Sequence, residues 1–412
     1  MEETADVLVE ALPRARRMLR IAVVTETYPP EVNGVALSAA RFVEGLQRRD
    51  HEIQLVRLRQ DRSDRASGVQ ELLTHGVPIP RYPGLRMGLP ATSVLVRQWR
   101  RARPDVVHVL TEGPLGWSAV SAARKLKLPV ISDFRTNFHS YSRHYGFGWL
   151  SRPILSYLRK FHNRTLCTLV PTEALRTELG ALGFRNLRVI ARGVDTALFD
   201  PARRNQTLRA AWNVGPDDPV LLHVGRIAAE KNLQALIAAY AAARLQAPRS
   251  RLVLVGDGPA RTELEMRCPD AIFVGTRRGE DLAAHYASAD VFLFPSLTET
   301  YGNVTLEALA SGLAVVAFDY AAAAQTIRHS DNGLLAPMSD TNAFAALAAA
   351  TVSDVAHARQ LGTRARESAL PLGWDPVVRQ LETLLEIAAG VTTVSYGTSG
   401  AQRRRGLVPH SR

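Results

Sequence analysis

The chain has 412 residues, 46% of them hydrophobic, and a formal net charge of +12 carried mostly by arginine. That length favours two domains over a single core, and no apolar run of about 18 residues is present to cross a bilayer. The basic excess suits an anionic substrate or an anionic lipid surface; without zinc-finger spacing or an RNP-type aromatic motif, nucleic acid is not an expected partner.

Residues 1–19 read as an extension, because they lack the basic-then-apolar order of a secretion signal. RIAVV (Arg20–Val24) is the first buried strand. The loop TETYPPEVNG follows, then a helix from about Val35 to Arg48. Gly34 between strand and helix lets the backbone approach a ligand, with the helix N-terminus behind it. The dinucleotide fingerprint G-x-G-x-x-G is absent here. Strands recur near Ile53–Leu58, Asp105–Leu110, Pro129–Ser132, Cys167–Val170 and Leu187–Ile190, with helical stretches between. SDFRTNFHSYSRHYG (Ser132–Gly146) is dense in His, Arg, Asn and Tyr and reads as a substrate-binding segment. Its His139 and His144 have no carboxylates at ligand spacing. Trp149–Phe161 mixes aromatics, apolar residues and cations at helical spacing; it suits a membrane surface or an ordinary core-facing helix. Basic clusters at Arg14–Arg20, Arg97–Arg103 and Arg403–Arg405 add to the first of these readings. ARGVDTALFDP (Ala191–Pro201) breaks the rhythm and looks like a linker.

The rhythm then restarts. PVLLHVGR, RLVLVGDG, AIFVGT, DVFLFPS and LAVVAF supply five strands, each followed by a helical stretch. This alternation is that of two Rossmann-like, doubly wound α/β domains facing a cleft, over 20–193 and 194–373. A final helix spans 374–389, and the Ser/Gly/Arg-rich tail 390–412 reads as disordered. The two cysteines, Cys167 and Cys268, lack metal-ligand spacing and suggest a reduced, cytosolic setting.

Three segments of the second half carry chemistry. HVGRIAAEKN (His223–Asn232) places Arg226 and Lys231 on one strand-to-helix loop, where both can converge on a diphosphate. VGDGP (Val255–Pro259) is mainly a tight turn. ETYGNVTLE runs from Glu299 through Gly302 to Glu307, from a loop after a buried strand into a helix. There, free N–H groups can hold an anion while carboxylates accept hydroxyls, Glu307 from a ribose diol and Glu299 from a sugar ring. A ligand with both phosphates and polyols, a nucleotide sugar, is the expected guest. No Asp-x-Asp triplet occurs, so no metal and no cofactor are expected, with cations and helix dipoles carrying the diphosphate.

With these residues assembled, the chain resembles the retaining GT-B glycosyltransferases of family 4 from about Arg20 to Ala389. The shared pieces are ETYPPEVNGV, DVVHVLTEGPLG, ARGVDTALFDP, VGRIAAEKN, VGDGP, ASADVFLFPSLTETYGNVTLEALASGLAVVA and NGLLAP. Within that family it is most similar to GDP-mannose-dependent α-mannosyltransferases acting on lipid or polyprenyl-linked acceptors. The resemblance implies a GT-B fold with the last helix crossing back to the first domain. The basic clusters add to these expectations a cytoplasmic protein peripheral on the inner face of the membrane. By position, the resemblance implies that Arg226 and Lys231 hold the donor diphosphate, Glu307 the ribose and Glu299 the transferred sugar. Gly302, Asn303 and Val304 would add backbone groups, Arg277 would contact the base, and Gly34 would let the first domain close on the diphosphate. Where many relatives carry a His-Thr pair this chain has Arg135-Thr136, so either Arg135 or His139 is left to face the sugar. The rival readings are a UDP-sugar-dependent transferase, a sugar-nucleotide epimerase and a non-catalytic sugar-nucleotide sensor.

Overall fold

The computed structural model describes residues 18–31, 33–61, 63–66, 70–79, 86–135, 151–299 and 301–391. The first half runs β1 (Arg20–Val24), α1 (Gly34–Gln47), β2 (Glu52–Leu58), β3 (Glu71–Thr74), β4 (Gly76–Pro78), β5 (Arg86–Gly88), α2 (Thr92–Arg101), β6 (Val106–Val109) and α3 (Pro114–Lys125). It continues with β7 (Val130–Asp133), α4 (Ser151–His162), β8 (Cys167–Val170), α5 (Glu173–Ala181) and β9 (Leu187–Val189). Among the described residues, seven of these strands form one sheet in the order β3-β2-β1-β6-β7-β8-β9, all parallel, while β4 and β5 pair antiparallel on their own.

The second half runs α6 (Gln206–Ala211), β10 (Val220–Val224), α7 (Leu233–Gln246), β11 (Arg251–Val255), α8 (Arg261–Arg267), β12 (Ile272–Gly275), α9 (Gly279–Ser288) and β13 (Val291–Phe294). Then come α10 (Asn303–Ala310), β14 (Ala314–Phe318), α11 (Ala321–Thr326), β15 (Leu334–Ala336), α12 (Thr341–Ser353), α13 (Val355–Ala369) and α14 (Trp374–Ala388). Its sheet order is β12-β11-β10-β13-β14-β15, again parallel. Parallel strands covered on both faces must be apolar throughout. Accordingly, every residue of β10, β13 and β14 is buried.

In each sheet the winding direction reverses at one strand, β1 in the first and β10 in the second. Crevices that accept ligands open at the carboxyl ends of strands beside such a reversal. The loops after β1, β10 and β13 therefore face the places where a guest can enter.

Two features join the halves. Helix α14 returns to the first domain, where Val377, Val378, Leu381 and Leu385 pack with Ile21, Val23, Phe42 and Leu46 in one core. Glu382 accepts from Arg49 Nε at 2.6 Å and lies 3.0 Å from His51 Nε2. The segment read as a linker is clamped rather than loose: Val194 bridges to Gly373, and Val194 and Phe199 are buried in the second domain's core. Strands β3, β4, β5 and β15 lie outside the set expected from the sequence.

Candidate active site

A cleft of about 830 Å³ lies between the two sheets' carboxyl edges. Its first-domain wall is the loop after β1 and the start of α1, with Gly34 at the tip. Asn33 caps that helix, its side-chain oxygen accepting from the N–H groups of Val35 and Ala36 at 3.0 and 2.8 Å. The second-domain wall is built from the loops after β10 and β13 and from the first turns of α10.

The loop after β10 brings Arg226 and Lys231 to the cleft. A short 3-10 turn over Ala229–Lys231, ended by Asn232 at φ 53°, sets the direction of Lys231 before α7 begins. Lys231 Nζ is ion-paired with Glu299 from the loop after β13, and Ser296 Oγ donates to the same carboxylate at 2.9 Å. Arg226 is half-exposed, its Nη1 lying 3.7 Å from Glu230. Gly302 adopts φ 94°, a left-handed conformation that glycine takes without strain. As the N-cap of α10 it makes no side-chain capping bond, which leaves the first N–H groups of α10 open to an anion.

Glu307 lies one turn into α10 and accepts the Tyr286 phenol at 2.9 Å. Burial pushes its carboxyl up to about 7, and the Tyr286 bond only partly offsets this. A second carboxyl behaves alike. Glu26, just after β1, accepts the Leu115 N–H at the start of α3 at 2.8 Å, and burial lifts it to about 7 as well. His223 on β10 is fully buried, and desolvation lowers its imidazole to about 4, so it is neutral at physiological pH.

The structure thus brings Gly34, Arg226, Lys231, Arg277, Glu299, Asn303, Val304 and Glu307 to one cleft, with Gly302 beneath it. Arg277 is exposed at the rim, 3.3 Å from Asp281. Arg135 is not on the cleft wall. It is buried, its Nε 2.5 Å from Asp133 and its guanidinium 4.9 Å from the Phe42 ring centroid. His139 lies outside the described residues. Among the described residues no three His, Cys, Asp or Glu side chains gather as a metal cluster, and no helix is long and apolar enough to cross a membrane.

Among the residues that went unread in the sequence, three line the cleft and one lies behind its wall. Arg41 on α1 and Asp195 after β9 form a 2.7 Å ion pair across the cleft floor. Trp374 at the start of α14 closes one side. Arg192, within the supposed linker, sits behind Gly34 and Asn303. The only sequence signal for these was the Gly-Val-Asp turn that interrupts the strand-helix rhythm.

Two family models match this chain: "Glycosyltransferase Family 4" over residues 32–198 and "Glycosyl transferases group 1" over 218–354. It is 35% identical to a GDP-mannose-dependent alpha-mannosyltransferase of Mycobacterium tuberculosis, over 91% of this chain and 98% of that protein. It is 30% identical to an alpha-monoglucosyldiacylglycerol synthase of Streptococcus pneumoniae, over 73% and 71% respectively. Among solved structures it superposes on the sucrose-phosphate synthase of Thermosynechococcus elongatus with a TM-score of 0.75. The identity there is 22%, over 91% of this chain and all of the other.

Proposed function

Because this chain belongs to the family 4, group 1 glycosyltransferases and has their two-domain GT-B fold, we propose that it transfers mannose from GDP-mannose. The acceptor is a hydroxyl of a lipid or glycan, and the anomeric configuration is retained. The observation that carries this is the meeting of Arg226, Lys231, Glu299, Asn303 and Glu307 in one cleft beside the sheet reversal at β10. The similarity to a GDP-mannose-dependent enzyme over nearly its full length favours that donor, and the relative named for a diacylglycerol product favours a lipid acceptor.

In this reading Arg226 and Lys231 grip the diphosphate, and the N-terminus of α10 adds backbone N–H groups. Glu307 accepts the ribose diol and Glu299 a hydroxyl of the transferred hexose. The bond between the sugar's anomeric carbon and the phosphate oxygen breaks as the acceptor oxygen bonds to that carbon. The departing phosphate takes the acceptor's proton, so no enzymic base is needed. Lys231 turns from Glu299 towards the phosphate as the leaving group gains charge. Closure of the cleft excludes water from the transfer. The reaction is proposed to need no metal; loss of activity on chelation with recovery on adding Mg²⁺ would overturn that part.

The first domain is proposed to rest on an anionic membrane surface. Helix α2 buries Leu95 and Trp99 and exposes Arg97, Arg100 and Arg101, beside exposed Lys125 of α3.

A thermal-shift screen of GDP-, UDP- and ADP-sugars tests the donor: GDP-mannose should raise the melting temperature most, since only the folded protein binds it. Preference for a UDP- or ADP-sugar would replace the donor reading. Lys231→Ala and Glu299→Ala should each cut turnover on the order of 100-fold or more while the protein stays folded. Near-normal turnover in either would sink the site assignment.

A further inference from the structure

Arg192 is a buried cation with no carboxylate paired to it. Its residue is 6% exposed, and among the described residues no carboxylate lies within 4.0 Å of its guanidinium, whose hydrogen bonds go to two neutral oxygens. Nη1 donates to the Gly34 carbonyl and to Asn303 Oδ1, each at 3.3 Å. Nε is buried with no hydrogen-bond partner. The Tyr301 ring lies 6.0 Å away, at the edge of cation–π range.

The positive ends of two helices also face this guanidinium, while the Asp133 and Glu299 carboxylates act on it only from beyond pairing distance. Gly34 begins α1 and Asn303 begins α10, so two helix N-termini meet at the same point. A Cβ on Gly34 would stand 2.8 Å from Arg192 Nη1, so only glycine leaves the guanidinium this close to the α1 backbone. Burial and the neighbouring Arg135 lower the Arg192 guanidinium to about 9. A buried cation with an open N–H between two helix N-termini is arranged for an anion.

We propose that Arg192 is a diphosphate-binding residue supplied by the inter-domain segment, whose guanidinium moves from the Gly34 carbonyl and Asn303 onto the phosphates of a nucleoside diphosphate in the cleft. This rests on the donor reading above and adds to it a third cation from outside the β10 loop. Because Arg192 touches Gly34 in one domain and Asn303 in the other, the phosphate it holds is one that both domains enclose.

The test compares nucleoside, nucleoside monophosphate and nucleoside diphosphate by calorimetry, in guanosine and uridine series, on the full chain. Wild type should bind one diphosphate more tightly than its monophosphate. Absence of such a step in both series would overturn the donor reading, and this proposal with it, before any variant is made. Arg192→Gln should weaken the diphosphate on the order of 10- to 100-fold, the effect of losing charged hydrogen bonds, and leave the nucleoside and monophosphate within about twofold. Equal weakening of all three, or none, would show a structural role and overturn the proposal while leaving the donor reading intact. Should Arg192→Gln not fold, Arg192→Lys carries the same comparison: a loss confined to the diphosphate supports the proposal, and a uniform or absent loss overturns it.

Discussion

Glu26 and Glu307 are both held by burial near pH 7, far above the ordinary value of 4.5, and each leaves a different signature. For Glu26 the signature is stability. The folded state binds a proton between pH 4.5 and 7 that the unfolded chain has released, so stability is full below 4.5, falls as pH rises, and levels off above 7. Glu26→Gln keeps an acceptor for the Leu115 N–H. It should leave stability at pH 4 unchanged and raise it at pH 8 by up to about 3 kcal/mol. Denaturant titrations at the two pH values read this directly; equal effects at both would show that the charge is not what Glu26 costs. For Glu307 the signature is binding. A carboxylate that accepts a diol must be ionised, so donor affinity should climb about tenfold per pH unit up to 7 and then flatten. Glu307→Gln should bind more weakly at pH 8 and lose that slope. An unchanged slope would place the titrating group elsewhere.

Between elements, the close contact of α1 and α14 ties the chain's end to its first domain. Gly45 makes the approach possible, since a Cβ there would sit 2.5 Å from Val378 Cγ2, and β-branched Val378 has little freedom to turn away. Gly45→Val should lower stability by about 1–3 kcal/mol through overpacking, measured by chemical denaturation, with Gly45→Ala less harmful. Wild-type stability in Gly45→Val would mean the two helices slide freely. The same scale explains what the sequence disclosed. Central strands such as RIAVV and VFLF are buried on both faces and read as unbroken apolar runs. β3 and β15 lie at sheet edges and β4 and β5 pair on their own; all four are only partly buried and escaped because ELLT, GVP, RMG and LLA form no long apolar run. Arg226, Lys231 and Glu299 were legible because each follows directly on such a strand. Arg192 and Arg41 were not, because their partners lie 111 to 158 residues away and only folding brings them together.

Across the whole molecule the +12 charge is unevenly used. Many arginines are spent internally: Arg209 is buried and paired with Asp290 at 3.1 Å, and Arg366 binds Asp200 at 2.6 Å. The surplus collects on the first domain. Arg97, Arg100 and Arg101 stand exposed on α2, joined by Arg124 and Lys125 of α3. In the first turn of α3, Trp117 stacks on Tyr157 of α4 at 5.5 Å and carries Arg164 at 4.9 Å from its ring centroid. Tyr157 and Leu166 remain 42% and 53% exposed, so this domain also shows apolar and aromatic surface. Each basic side chain near an anionic bilayer contributes about 1 kcal/mol, and the attraction fades beyond a Debye length of about 10 Å at 0.1 M salt. The protein should therefore sediment with phosphatidylglycerol vesicles at low salt, release above about 0.5 M salt, and ignore phosphatidylcholine vesicles. Arg97→Glu, Arg100→Glu and Arg101→Glu combined should abolish the binding without changing nucleotide affinity, since the face is remote from the cleft-lining residues. Vesicle binding that survives the triple reversal would move the docking face off α2, and no binding at low salt would remove the membrane from this enzyme's account.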